Sequence, residues 1–133
     1  MMLRGPKNTP CQRLDRRHDG EGAFGVRTLF ENEPGSPFKH VRELIVYGHS
    51  TVGSHQHMGD EELYYIIEGE TLMTVDGEEE VVGPGDCILT QSGNAHSLRN
   101  VGDNMVRILI VCAHAAQPAL QLLQEGESKA GTE

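Results

Sequence analysis

His55 and His57, one residue apart, and a carboxylate at Glu62 are the residues of this chain best placed to do chemistry. Side chains on an extended strand repeat with period two, so both imidazoles face one way and Gln56 faces the other. A turn through Met58-Gly59-Asp60 can return Glu62 to the same side on the next strand. Two imidazole nitrogens and a carboxylate oxygen converging on one point form a ligand set for a divalent transition metal: Mn, Fe, Ni, Co or Zn. Such a set leaves coordination positions open for a substrate. A fourth candidate ligand, His96, follows downstream.

The elements that must hold these residues are short and extended. Ala23 to Phe30 and Val41 to Tyr47 read as strands, separated by the turn-rich Glu31 to Pro37. After the His-x-His stretch come strands at Glu62 to Glu68 and Thr71 to Val75. Asp76-Gly77 is a hairpin signal, because a primed turn needs positive φ. Further strands are expected at Glu79 to Val82, Asp86 to Thr90, His96 to Asn100 and Met105 to Cys112, with Pro118 to Gln124 as a short C-terminal helix. Strands with turn signals about every 8 to 12 residues and little helix mean an all-β antiparallel sandwich or barrel. Several strands are apolar on both faces. One face lines an interior, and the other needs a cover from the N-terminal strands or a second subunit, so a homodimer is expected.

The chain of 133 residues fits one domain with a core large enough to need no disulfides. We expect a loose arm at 1–20, the barrel at 21–115, and the helix and tail at 116–133. The arm's basic cluster, Arg13, Arg16 and Arg17, is diluted by Asp15, Asp19 and Glu21. Acidic residues outnumber basic ones 20 to 11, for a net charge of −9, which argues against nucleic acid or an anionic membrane as partner. Cys11, Cys87 and Cys112 form no C-x-x-C and read as free thiols in a reducing compartment, with Cys87 and Cys112 as buried small apolar residues. No apolar run approaches the roughly 18 residues of a membrane span and no secretory signal core opens the chain, so a cytoplasmic protein is expected. Asp60, Glu61 and Glu78 to Glu80 read as solvated acidic loops.

Two spaced motifs now carry a family resemblance. The first is Gly48, six residues, His55-Gln56-His57, four residues, Glu62, six residues, Gly69. The second is Gly85, five residues, Gln91-Ser92-Gly93, two residues, His96, three residues, Asn100. In this order, about 15 residues apart, they resemble the motifs of the cupins, small single-domain barrels of the double-stranded β-helix or jelly-roll type. The leading gap from Gly48 is one residue longer than usual, and Gln91 stands where proline is usual. The resemblance implies that His55, His57, Glu62 and His96 bind one metal. The spacing to Gly69 selects Glu62 over Glu61, and parity puts Glu62, Tyr64 and Ile66 on one inward face.

Beyond the ligands, three residues are candidates for substrate contact. Tyr64 is either a core tyrosine or a substrate contact and general base beside the metal. Some small cupins that cleave dimethylsulfoniopropionate use a tyrosine at this E-x-Y position, and no tyrosine follows Tyr65 to act as a second. Arg107 interrupts an apolar strand, and either binds a substrate carboxylate or pairs with an acidic residue such as Glu43. His49 shares parity with Tyr47 and either reaches the barrel mouth or sits in a solvated loop. Three functions fit. The first is a metalloenzyme (dioxygenase, decarboxylase, isomerase or lyase) acting on a small oxygenated metabolite or organic acid. The second is a non-catalytic small-molecule or sugar-binding module, and the third a structural or regulatory protein whose metal stabilises the barrel.

Overall fold

The computed structural model describes residues 1–16 and 18–116. The helix expected at Pro118 to Gln124 lies outside the described residues. The described chain is all-β: β1 (Gln12–Asp15), β2 (Ala23–Glu31), β3 (Phe38–Val46), β4 (Thr51–Gln56), β5 (Asp60–Glu68), β6 (Thr71–Val75), β7 (Glu78–Val82), β8 (Cys87–Thr90), β9 (Ala95–Arg99) and β10 (Val106–His114). Within the segment expected as a loose arm, β1 pairs antiparallel with β2, Leu14 opposite Phe24. No alternation of apolar residues announces it, since all four of its residues are exposed.

Two antiparallel sheets face each other. One runs β1-β2-β3-β10-β5-β8 and the other β4-β9-β6-β7. The core between them follows the period-two pattern of each strand. On β10, Val106, Ile108, Ile110 and Cys112 are buried and the residues between them are half-buried. On β5, Tyr64 and Ile66 turn inward while Tyr65 and Ile67 are exposed. Phe24, Leu44 and Val46 complete this face, and Val52, Met73, Val82 and Leu98 meet them from the four-stranded sheet. Asp76 and Gly77, both at positive φ, form the two-residue turn that joins β6 to β7 in register, Val75 opposite Glu78.

Asn100 closes one end of the core. It is buried, and its amide donates to the carbonyls of Val46, Tyr47 and Asn104 at 3.1, 3.3 and 2.8 Å, while its oxygen accepts from Gly102 N–H at 3.1 Å. One side chain thereby satisfies backbone groups at the end of β3 and in the β9–β10 turn. Among the described residues no helix is long and apolar enough to cross a membrane.

Candidate metal centre

Pairing across strands builds the site. In the four-stranded sheet His55 on β4 lies directly opposite His96 on β9. In the six-stranded sheet His40 on β3, Cys112 on β10, Glu62 on β5 and Thr90 on β8 form one continuous cross-strand row. His57 sits just past the end of β4, its N–H donating to Asn94 carbonyl at 3.0 Å. Glu62 therefore meets the histidines from the opposite sheet, across the core. It does not come back beside them on a neighbouring strand, because β4 and β5 lie in different sheets.

Three Nε2 atoms and one carboxylate oxygen meet there. His96 Nε2 is 2.9 Å from His55 Nε2 and 3.1 Å from His57 Nε2. Glu62 Oε1 is 3.3 Å from His57 Nε2 and 3.4 Å from His96 Nε2. Each ring is held from behind. His55 Nδ1–H donates to Gly53 carbonyl at 2.9 Å, and His57 Nδ1–H donates to Asp60 Oδ1 at 2.9 Å. His96 Nδ1 lies 2.8 Å from Thr90 Oγ1, and His40 Nε2 lies 3.0 Å from Glu62 Oε2. Asp60 in turn accepts from Lys39 Nζ at 2.5 Å.

Those backing contacts test whether a metal fits. With Nδ1 of His55 and His57 protonated, both Nε2 atoms carry lone pairs, and Glu62 Oε1 is a third acceptor. A single proton on His96 Nε2 satisfies only one of the three, leaving buried acceptors facing one another at a cost of about 1–3 kcal/mol each. One cation satisfies all four together. Ligands about 2.1 Å from a common ion stand about 3.0 Å apart at right angles, which is the spacing seen here. The carboxylate–histidine backing is what ligating imidazoles require.

The electrostatics agree. Burial pushes His55 down to about 4, so its imidazole is neutral at pH 7. Burial alone would raise the Glu62 carboxyl, but hydrogen bonds from His40 and His96 hold it well below the usual carboxylate range. Burial likewise opposes ionisation of Asp60, and the hydrogen bonds from Lys39 and His57 overcome it. Burial, then the nearby Glu62 and Asp60 carboxylates, push the Cys112 thiol up to about 12.

All four expected ligand residues converge; His57, Glu62 and His96 are buried and His55 is half-buried. Tyr64 is buried on the same inward face, its ring 5.0 Å from that of His96. Arg107 and His49 are not brought to this point. Arg107 lies on the outer face of the six-stranded sheet, 3.4 Å from Glu43, because its parity on β10 is opposite to that of Ile108. His49 occupies a left-handed turn position and pairs with Asp103 at 2.6 Å on the surface. Cys87, expected to be buried, is exposed, because it faces outward opposite Tyr65 on an edge strand. Asp60, expected in a solvated loop, is buried behind His57.

Sequence reasoning also missed Lys39, His40, Thr90 and His18. The partners of Lys39, His40 and His18 are distant in sequence, whereas Thr90 lies six residues from His96 and Asp60 three from His57. His18, in the turn after β1, stacks on His55 with ring centroids 3.6 Å apart and planes 12° from parallel. Beside the site, a cavity of about 340 Å³ is lined by Met73, Val75, Glu78, Glu80, Val82, Ile88 and Leu89. Val75 is the cross-strand neighbour of His96, and Ile88 that of Tyr64.

Comparison with known proteins gives four relevant likenesses. A family model described as "Cupin domain" matches residues 41–112. An oxalate-binding protein from Thermotoga maritima is 30% identical over 112 residues, 84% of this chain and 92% of that protein. An uncharacterized protein from Methanocaldococcus jannaschii is 37% identical over 76 residues, 54% of this chain and 61% of that one. Among solved structures, a predicted oxalate decarboxylase from Thermotoga maritima superposes with a TM-score of 0.81 at 26% identity, covering 86% of this chain and 100% of that chain.

Proposed function

This chain belongs to the cupin domain family, and from that premise we propose that it is a divalent-metal cupin that takes a small oxygenated organic acid of the oxalate class and turns it over as a decarboxylase, lyase or oxygenase. The observation that carries this reading is the convergence of Nε2 of His55, His57 and His96 with Oε1 of Glu62. The relatives with oxalate in their names support this substrate class. A first-row ion held by these four residues would supply open positions that bind carboxylate oxygens and stabilise developing negative charge.

The chain's own residues prepare that chemistry. Gly53 and Asp60 keep protons on Nδ1 of His55 and His57, so the Nε2 lone pairs point inward. His40 occupies Glu62 Oε2 and leaves Oε1 for the centre. Met73, Val75 and Ile88 give the neighbouring cavity apolar walls, alongside Glu78 and Glu80. Tyr64, beside His96, is the nearby group able to give or take a proton at its hydroxyl.

The test is oxalate added to Mn2+-loaded protein, with binding read by calorimetry and products read as formate and CO2. Binding with product supports the enzyme. Binding without product moves the assignment to a non-catalytic binding module, which the name of the oxalate-binding relative favours. No binding overturns the substrate class. His96→Ala should lose both metal and turnover, while Tyr64→Phe should keep the metal and lower kcat.

The same proposal includes a homodimer in a reducing, cytoplasmic setting. The outer face of the six-stranded sheet exposes Tyr65, Ile67 and Leu89, and Cys11, Cys87 and Cys112 are free thiols. A monomer mass in sedimentation at micromolar concentration would remove the dimer.

A further inference from the structure

His55 differs from the other three candidate ligands in being half-buried, so it forms the solvent side of the centre. Its ring is fixed about one axis by the hydrogen bond from Nδ1 to Gly53 carbonyl. A single hydrogen bond leaves the ring free to tilt. His57 and His96 meet the ring on its inner side, and on the outer side the imidazole of His18 lies flat on it at 3.6 Å.

His18 is held there by a strap rather than by chance contact. Glu21 N–H donates to Thr51 Oγ1 at 2.8 Å, and Thr51 N–H donates to Glu21 carbonyl at 2.8 Å. Ala23 N–H donates to Ser50 Oγ at 3.0 Å. The strap presses backbone to backbone on β4. A Cβ on Gly20 would stand 1.9 Å from Thr51 carbonyl oxygen, and one on Gly53 would stand 1.7 Å from His18 carbonyl oxygen. Arg16, His18 and Asp19 all hold left-handed φ, at 61, 50 and 61°. Non-glycine residues keep such angles only where surrounding contacts over-determine them.

We propose that His18 is a positioning residue of the metal centre: the strap lays its ring on His55, orienting the most exposed of the four candidate ligands. This rests on reading His55, His57, Glu62 and His96 as metal ligands. Removing a partner behind a ligand typically costs about 10- to 100-fold in metal affinity. A stacked ring acts in the same way from the side, its face lying against the face of an imidazole that takes on partial positive charge on coordination.

The experiment loads wild type, His18→Ala, His18→Phe and Gly20→Ala with Co2+. It follows the visible absorption bands of the bound ion and the rate of its loss to EDTA. His18→Ala should release Co2+ about 10-fold faster and shift the bands. His18→Phe keeps a stacked ring without ring nitrogens and should restore both to within about 2-fold. Gly20→Ala lifts the strap without altering either ring and should match His18→Ala. Wild-type release and an unchanged spectrum in His18→Ala overturn the inference, as does a His18→Phe variant that behaves like His18→Ala. Gly20→Ala releasing at the wild-type rate overturns the role of the strap. A wild type that takes up no Co2+ refutes the metal reading itself, an outcome distinct from all of these.

Discussion

At the residue scale, the chemistry depends on which nitrogen of each histidine is held and which is left free. Asp60 fixes that choice for His57, with Lys39 fixing Asp60 in turn. Asp60→Asn can present its amide hydrogens to Nδ1 and so favour the wrong tautomer. It should weaken metal affinity about 10- to 100-fold with little change in fold, measured by chelator competition. Cys112 makes the opposite case, a potential ligand silenced by its setting. It is buried between His40 and Glu62 in the cross-strand row, and its thiol is pushed up to about 12. A thiol reagent at pH 8 should therefore modify exposed Cys11 and Cys87 in the native protein and reach Cys112 only after unfolding. Third reactivity in the native state would show that the β10 row opens readily.

At the element scale, β10 is the spine of the molecule, pairing with β3 on one side and β5 on the other. Its alternation separates two kinds of position. Ile108 is fully buried between the sheets, and Ile108→Ala should cost about 2–5 kcal/mol in urea unfolding. Arg107, one residue away, pairs with Glu43 on the outer face, and Arg107→Ala should cost no more than about 1 kcal/mol. In the sequence β5 and β10 are apolar on both faces, and the inward face was legible only from parity with Glu62 on β5 and from the interruption at Arg107 on β10. No such signal marked β1, whose residues are all exposed and whose strand is set by pairing with β2 rather than by burial. Nor does period two say which sheet a strand joins. Glu62 and the His-x-His pair therefore read as neighbours on consecutive strands, although they face each other across the core.

At the scale of the whole molecule, the centre ties both sheets together and couples stability to pH. Between about 4 and 6.5 the unfolded chain protonates His55 and the folded one does not, so metal-free protein should lose stability as pH falls through that window. Glu62 acts in the same direction at lower pH: its carboxyl is held ionised in the fold, so its contribution is present above 4.5 and lost as acid protonates it. Urea midpoints of the apoprotein from pH 7.5 to 4.5 should fall, and His55→Gln should flatten the upper part of that curve by about one proton. A flat profile in wild type would show that His55 is solvated like an ordinary surface histidine. The sequence by itself determined the strand class and the Asp76-Gly77 hairpin, because period and turn chemistry are local properties of the chain, and its resemblance to the two cupin motifs implied the four residues that converge. Only the tertiary structure decided that Asp60, His40 and Thr90 hold those ligands, that His18 covers His55, and that Arg107 and His49 stand apart. Apart from His57–Asp60 and Thr90–His96, which are near in sequence, each of those contacts joins strands or turns whose pairing is set by the closed fold, which no local spacing records.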